Sequence, residues 1–195
     1  MKKFAFLLSL SFLIFSFTTP HIVSFKVDTE KSNLKWTGSK ITASHYGNID
    51  ISKGIIMIDH GKLAAANFTI DMTSITNTDI KDKGKSDYLV SHLKNEDFFD
   101  VEKFPKADFK MITASKLPNG KHKVIGELNI KNFKDVITFE LDLTERNNTV
   151  AASGKFSFDR TKFDIIYGSG TFFDNLGDKA IDNEVIVEFN IVATK

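Results

Sequence analysis

Residues Ile137–Leu143, with the sequence ITFELDL, alternate apolar and polar side chains over seven positions. One face of this stretch carries Ile, Phe, Leu and Leu, and the other carries Thr, Glu and Asp. Successive side chains of a β-strand point to opposite faces, so the alternation predicts a strand with one buried and one wet face. The continuous apolar strands of a parallel sheet covered on both faces are missing from the sequence.

The same alternation recurs along the chain, which predicts a succession of antiparallel strands. It is found in five further runs: Asn67–Met72, Ala107–Met111, Val124–Lys131, Lys155–Phe158 and Val185–Ile191. Three more extended runs bring the expected total to eight or nine strands: Leu34–Ile41, Ser44–Ile51 and Gly54–Asp59.

Residues that tolerate positive φ separate or interrupt these runs, as in β-hairpins. They are Gly47–Asn48, His60–Lys62, Pro118–Lys121 and Arg146–Asn148. A meander of so many one-sided strands has to bury its apolar face, and closure into a barrel also removes the exposed sheet edges. We therefore predict an all-β fold built as an eight-stranded antiparallel barrel. A two-sheet sandwich remains the alternative that the pattern leaves open.

Composition narrows the class of protein. The chain has 195 residues, 42% of them hydrophobic and 26% charged, which is typical of one globular domain. The formal net charge of +1 argues against a nucleic-acid partner, which favours a basic excess. The absence of cysteine excludes disulfides, thiolate metal sites and a cysteine nucleophile.

The N-terminus has the pattern of a secretory leader. Lys2 and Lys3 precede an uncharged run, Phe4–Phe17, that is too short to span a bilayer but fits a signal-peptide core. We predict a signal peptide over residues 1–22, a single domain over residues 23–195, and a periplasmic or secreted location. The residues around Pro20 contain no Ala-x-Ala cleavage pattern, so an uncleaved anchor is the alternative.

Residues 76–105 interrupt the strand pattern and are too many for a hairpin turn. Within them Tyr88, Leu89, His92 and Leu93 share one face of a predicted short helix, with Ser86 as its N-cap. We interpret this segment as a helical flap that lies against the barrel. A second irregular stretch covers Tyr167–Asn183.

No motif for catalysis or metal binding emerges. The histidines at 21, 45, 60, 92 and 122 lack ligand spacing, and Leu176 breaks a calcium-loop register among the nearby acidic residues. Two S-x-x-K matches, at Ser32 and Ser91, lack their companion motifs. We therefore expect no enzyme activity, no catalytic residue and no metal.

The apolar faces themselves remain to be explained. Inward side chains of an eight-stranded barrel either fill the core or enclose one slender ligand, and periodicity does not distinguish these two outcomes. A hollow apolar lumen in an exported protein would suit a lipid carrier. The alternative is an exported barrel with a filled core that acts in protein interaction or stress protection.

Several sequence blocks resemble one family. Ser91–Lys94 followed by Asp97–Pro105 resembles a signature of the YceI-like polyisoprenoid-binding family. Later blocks match the same family in order: Gly126–Lys131, Phe158–Phe163, Tyr167–Gly170 and Leu176–Asp178. The chain departs from the family in residues 129–136, which lack the Gly and Pro of the usual hairpin.

The resemblance implies an extended lipocalin-like barrel that holds a long isoprenoid, a fatty-acyl chain or a related amphiphile, without another cofactor. With the alternation, it predicts that the tail is enclosed by Trp36, Phe68, Ile70, Phe109, Leu128, Ile130, Phe139, Leu141, Phe156, Phe158, Val187 and Phe189. The segment around His92, Phe98 and Phe99 is expected to cover one mouth, where a polar head would meet His92, Lys94, Arg160 or Tyr167. Peripheral contact with a membrane and pairing into a homodimer are left open.

Overall fold

The computed structural model describes residues 21–195, where the alternating runs form strands. The predicted leader lies outside these residues, apart from His21 and Ile22. The strands are β1 (Ile22–Val27), β2 (Asn33–Lys40), β3 (Ala43–Asp59), β4 (Lys62–Asp71), β5 (Lys106–Lys116), β6 (His122–Ile130), β7 (Phe133–Arg146), β8 (Thr149–Asp159) and β9 (Ile181–Thr194). One α-helix, α1 (Lys83–Lys94), and three short 3₁₀ segments (Met72–Ser74, Arg160–Phe163 and Gly177–Lys179) complete the described part.

The sheet closes on itself, which confirms the barrel and excludes the sandwich. Strands β2 to β9 form a closed eight-stranded antiparallel barrel in which β3 pairs with both β2 and β4. The extra strand β1 pairs with the end of β3 and the end of β9. It therefore bridges these two strands in the part of the barrel that β2 does not reach. Closure leaves one continuous inner surface for the apolar faces.

The separate strands predicted at Ser44–Ile51 and Gly54–Asp59 are wrong, because both belong to the 17-residue β3. A bulge between Ile51 and Lys53 shifts the register with β4, and the Ser52 hydroxyl there donates to the carbonyl of Thr69 at 3.0 Å. Bulges bend a strand without ending it, so the single strand β3 can pair with both β2 and β4.

Three of the four turns predicted from the sequence are present. The β3–β4, β5–β6 and β7–β8 turns contain His60, Gly120 and Asn147, all with positive φ. Gly47, in contrast, lies inside β3 opposite Trp36, where a Cβ would overlap the Thr76 carbonyl. It allows the close approach of the segment after β4 and does not form a turn.

The β6–β7 hairpin replaces the missing Gly and Pro with two other residues. Lys131 and Asn132 both have positive φ, at 52° and 66°, between the paired Ile130 and Phe133. That is the geometry of a two-residue type I′ turn. The Lys131 ammonium group donates to the Asp164 carbonyl at 3.0 Å, which attaches the turn to the loop after β8.

The helix is present but begins earlier than predicted. Its N-cap is Asp82, whose side chain accepts from the Lys85 backbone N–H at 2.9 Å. Ser86 is therefore wrong as the cap, and its hydroxyl instead donates to the Asn77 side chain at 3.2 Å. None of the helix residues is fully buried, and within residues 21–195 no helix is long and apolar enough to cross a membrane.

The strand directions give the barrel two different ends. One end, the open end, carries the β2–β3 turn, α1 and the loop 164–180. The other, the closed end, carries the β3–β4, β5–β6 and β7–β8 turns, together with His21 and Lys195. The long connections, which can vary in shape, are thus concentrated at the open end.

Candidate functional site: an apolar cavity within the barrel

The barrel encloses a cavity of about 390 Å³ lined almost entirely by apolar side chains. Its wall follows β9 from Ile181 to Ile191, a path of about 33 Å along the strand. The volume lies in the usual range of small-molecule sites. Hydrophobic walls of this length accommodate a slender apolar chain better than a compact polar molecule.

All twelve residues predicted to enclose the tail line this cavity: Trp36, Phe68, Ile70, Phe109, Leu128, Ile130, Phe139, Leu141, Phe156, Phe158, Val187 and Phe189. Of the residues predicted at the mouth, Phe98, Phe99 and Arg160 also line it. The alternation of the strands identified the inner face because every second side chain points inward.

A cluster of four phenylalanines forms the middle of the wall. The Phe139 ring centroid lies 5.7 Å from Phe109, 5.4 Å from Phe156 and 5.6 Å from Phe189. Such separations are typical of favourable aromatic pairs. Phe139 and Phe156 point inward yet are only half-buried, because the lumen beside them is hollow.

The cavity opens at one end. There its lining includes Lys40, Ala43 and Asp182, all of which are exposed. At the other end Val124 is 1% exposed, and Phe25 of β1 is fully buried. We call the opening framed by Lys40, Ala43 and Asp182 the mouth.

The helix contributes to the cavity through Leu89 and Leu93, which lie four residues apart on one face. These two leucines were assigned to the helix face by the sequence but not to the site. Phe98 and Phe99, from the turn after the helix, complete this part of the wall. The flap segment therefore forms part of the cavity wall at the open end of the barrel.

Arg160 has a largely structural role at this end. Its guanidinium donates to four carbonyls: those of Ile165 (2.7 Å), Tyr167 (2.9 Å), Asp182 (2.9 Å) and Ile181 (3.0 Å). The side chain is 2% exposed, and burial lowers the pKa of the guanidinium from its usual value. Of its five N–H groups only one remains for a ligand at the cavity wall.

His92 and Tyr167 do not line the cavity, which differs from their predicted contact with a bound head group. Their rings pack edge to face with centroids 4.7 Å apart, and both contact Phe98. The His92 Nε2 atom lies 3.1 Å from an Asp97 carboxylate oxygen. This cluster joins α1 to the loop 164–180 outside the lumen.

Lys94, the other residue expected at the head group, is also occupied by the protein. Its ammonium group donates to the Thr73 carbonyl at 2.7 Å, which attaches the end of α1 to the barrel. The mouth therefore obtains its polar groups from other residues.

Besides Arg160, four polar residues reach the cavity, and the sequence analysis missed all four: Ser39, Lys40, His45 and Asp182. His45 shares strand parity with the inward Ile49 and Ile51, and that parity could have identified it. Its Nδ1 lies 2.8 Å from the Asp79 carboxylate. Burial raises the pKa of Asp79, but hydrogen bonds from His45, Tyr46 and Asn77 outweigh it and hold the pKa below its usual value.

Other chemistry is not assembled in the described residues. Between residues 21 and 195 no three His, Asp or Glu side chains converge as metal ligands. The polar groups near the mouth, Arg160 and His45, are held by carbonyls or a carboxylate. What the cavity offers is an apolar enclosure with a few polar groups at its opening.

Comparison with solved structures gives the same architecture. BcnA of Burkholderia cenocepacia is 25% identical, with a TM-score of 0.70, and the match covers 86% of this chain and 99% of BcnA. A polyisoprenoid binding domain from Saccharophagus degradans, implicated in plant cell wall breakdown, is 15% identical with a TM-score of 0.61 and coverage of 87% and 97%. The Campylobacter jejuni YCEI protein is 16% identical with a TM-score of 0.57 and coverage of 100% and 99%.

Among curated proteins no match reaches significance. The family model described as the YceI-like domain matches residues 25–193, which include β2 to β8, all but the last residue of β9, and the flap segment. The match therefore spans the cavity wall from Leu34 to Ile191. The chain belongs to the YceI-like domain family.

Proposed function

We propose that this protein is a non-catalytic binding protein that holds a long isoprenoid or a related amphiphilic lipid in its barrel. The observation that carries the proposal is the long apolar cavity whose exposed lining residues, Lys40, Ala43 and Asp182, lie at the mouth. Transfer of each methylene from water into such a lumen contributes about 0.8 kcal/mol. A long tail therefore binds tightly without polar contacts.

The family and the fold support this proposal. The structural neighbour from Saccharophagus degradans is described as a polyisoprenoid binding domain. In this chain the tail would lie against the Phe109, Phe139, Phe156 and Phe189 cluster. The polar head would remain at the mouth, near Lys40 and the one unused N–H of Arg160.

The alternative of a filled core fits the cavity less well. A barrel packed with its own rings would leave no volume of about 390 Å³, yet the inward Phe139 and Phe156 remain half-buried. Packed interiors contain few voids larger than a water molecule. The cavity therefore favours ligand binding over interaction through a filled barrel.

We also propose that the protein is exported and stores or transports its lipid outside the cytoplasm. Support comes from Lys2, Lys3 and the uncharged run Phe4–Phe17. Cell fractionation and N-terminal sequencing of the purified protein test this part. Protein retained entirely in the cytoplasm with residues 1–22 intact would contradict it.

The binding proposal is tested by native mass spectrometry, with organic extraction to identify the bound molecule. Wild-type protein should carry an additional mass of several hundred daltons. Phe139→Asp/Phe156→Asp should lose it, since a buried unpaired carboxylate is incompatible with an apolar tail. The matched control is Thr138→Asp/Ser157→Asp, which changes the neighbouring outward residues.

Circular dichroism of each variant establishes that the barrel is intact. Folded Phe139→Asp/Phe156→Asp protein that retains the lipid would contradict the proposal. If this variant does not fold, Phe139→Leu/Phe156→Leu provides the comparison, and here the expected result is a changed affinity for the extracted lipid. Wild-type protein that carries no lipid and takes none up from added isoprenoid would also contradict it.

A further inference from the structure

Several large apolar side chains are exposed at the open end of the barrel, and four of them belong to segments that neighbour the cavity lining. Ile41 and Tyr88 are 70% and 73% exposed, and Phe172 and Phe173 are 53% and 45% exposed. We call these four residues the mouth patch. Exposed apolar groups of this size concentrated at one end of a molecule indicate an interaction surface.

Two members of the mouth patch are sequence neighbours of residues that line the cavity. Ile41 follows Lys40 at the β2–β3 turn, and Tyr88 precedes Leu89 on α1; Lys40 and Leu89 both line the cavity. The patch is thus carried partly by the rim of the cavity itself.

Phe172 and Phe173 reach the same end through the loop 164–180. Both of their N–H groups donate to the Ser169 carbonyl, at 3.1 and 3.0 Å. The Ser169 hydroxyl donates to the Asn183 side chain, and the Ile181 N–H donates to the Gly168 carbonyl. Ile181 is paired with Lys40, so this loop lies beside the β2–β3 turn.

We propose that the mouth patch docks the barrel onto the surface of a lipid bilayer, with its opening toward the acyl chains. This inference rests on the proposed function, because a water-insoluble tail needs a continuous apolar path between membrane and lumen. Aromatic side chains such as Tyr and Phe are well suited to the boundary between lipid and water.

The charged residues in the segments that carry the mouth patch indicate which kind of lipid headgroup the patch would meet. Lysines at 40, 81, 83, 85 and 179 are interspersed with acidic residues at 79, 82, 87, 174, 178, 182 and 184. This mixture is not the basic cluster that binds anionic lipids. Docking should therefore occur on zwitterionic phosphatidylcholine vesicles, and salt should change it little.

The arrangement also favours a bilayer over a protein partner. The four side chains come from three separate segments: the β2–β3 turn, α1 and the loop 164–180. Each can insert independently among lipids, whereas a protein partner would have to span the mouth. A second copy of the chain is tested directly in the experiment below.

The experiment uses the full chain, which has no cysteine and so accepts a single labelled one. Thr42→Cys places a polarity-sensitive fluorophore at the exposed β2–β3 turn, and Asn148→Cys places it at the exposed β7–β8 turn of the closed end. On phosphatidylcholine vesicles the emission at position 42 should shift to the blue. Emission at position 148 should not change.

Comparison of the two label positions distinguishes membrane attachment through the mouth patch from attachment through residues 1–20. His21 lies beside His60 at the closed end, with ring centroids 6.1 Å apart, so attachment through residues 1–20 would bring that end toward the lipid. A shift at position 148 alone would overturn the proposal. A shift at position 42 that grows with protein concentration in the absence of vesicles would assign the patch to self-association and would also overturn it.

The patch variant Ile41→Ser/Tyr88→Ser/Phe172→Ser/Phe173→Ser, carrying Thr42→Cys, should lose at least nine-tenths of the shift. Its matched control replaces four apolar residues that are exposed elsewhere: Ile22→Ser/Ile55→Ser/Ile112→Ser/Val136→Ser. The control should retain the shift; equal loss in both variants would overturn the role of the patch.

Native mass spectrometry of the same preparations separates the two proposals. Protein that carries lipid but shows no shift on vesicles contradicts docking alone. Protein that shows the shift but binds no lipid contradicts the proposed function alone. The two failures therefore give different results.

Discussion

Phe68 of β4 lies directly opposite Gly54 of β3, and its ring occupies the space that a side chain at position 54 would need. A Cβ on Gly54 would lie 2.6 Å from the Phe68 Cδ1 atom and 2.7 Å from the Val27 Cγ2 atom. The Phe68 ring stacks with the ring of Phe109, and the two centroids are 6.2 Å apart. The missing side chain at position 54 thus helps to place an aromatic ring at the cavity wall.

Gly54→Ala should destabilise the barrel by about 1–3 kcal/mol, because both neighbours must move to accommodate the methyl group. Urea denaturation measures the change. Gly38→Ala in β2 is the matched control, since no atom lies within 4 Å of a Cβ there. Equal stability of the two variants would contradict the packing described for Phe68.

Ala152→Phe should reduce lipid binding by filling the lumen. Ala152 points inward and lines the cavity, whereas its neighbour Ala151 is exposed. A ring that occupies cavity space excludes a ligand of the same volume, so the variant should carry less lipid or a shorter one by native mass spectrometry. Ala151→Phe should leave the bound mass unchanged; the idea fails if the two variants carry the same lipid.

Arg160→Lys should destabilise the protein by roughly 3 kcal/mol, because a lysine ammonium cannot reproduce the fork that donates to four backbone carbonyls. The thermal midpoint should fall by several degrees. Lys162→Gln removes the exposed pair with Asp135 and should leave the midpoint unchanged. An unaltered midpoint in Arg160→Lys would show that the carbonyls find other partners.

His122 should make the barrel less stable in mild acid. Its side chain points inward at the closed end, it is 6% exposed, and its Nδ1 atom has no hydrogen-bond partner. Burial, and to a lesser extent the nearby Lys116, lower the pKa of His122 below 6.5. The unfolded chain therefore binds a proton near pH 6.5 while the folded chain resists it, so stability falls as the pH drops below that value.

Urea midpoints at pH 7.5 and 5.5 measure this dependence. His122→Leu should reduce the difference between the two pH values, because the leucine cannot titrate in either state. His60→Gln, at an exposed position of the closed end, should retain the wild-type difference. An undiminished difference in His122→Leu would assign the acid sensitivity to other groups.

Much of the cavity wall could be predicted from the sequence because strand parity is a local property. The alternation around Phe139 and Phe189 fixed which side chains share a face, and a closed barrel has only one interior. The helix face that contains Leu89 and Leu93 followed in the same way from its spacing. The N-cap did not, because Ser86 and Asp82 both have suitable side chains and only the backbone geometry selects Asp82.

The roles of the polar residues required the fold. The family resemblance, combined with the strand pattern, predicts Arg160 and Tyr167 at the mouth. Their partners in the structure include the Ile181 carbonyl and the His92 ring, which belong to segments distant in sequence. Likewise His45 meets Asp79 only because the segment after β4 runs beside β3. Side-chain chemistry gives the donors and acceptors, whereas strand register decides which of them meet.

The amino-acid order by itself determined that the chain forms one-sided antiparallel strands with an aromatic inner face and an irregular segment between β4 and β5. These features depend on alternation and on local breaks in it, both of which can be read along the chain. Only the tertiary structure decided that β3 joins two neighbours, that the interior is hollow and that the opening lies beside α1. Hollow volume and closure arise from contacts between residues far apart in sequence, such as Lys40 with Ile181 and Gly54 with Phe68.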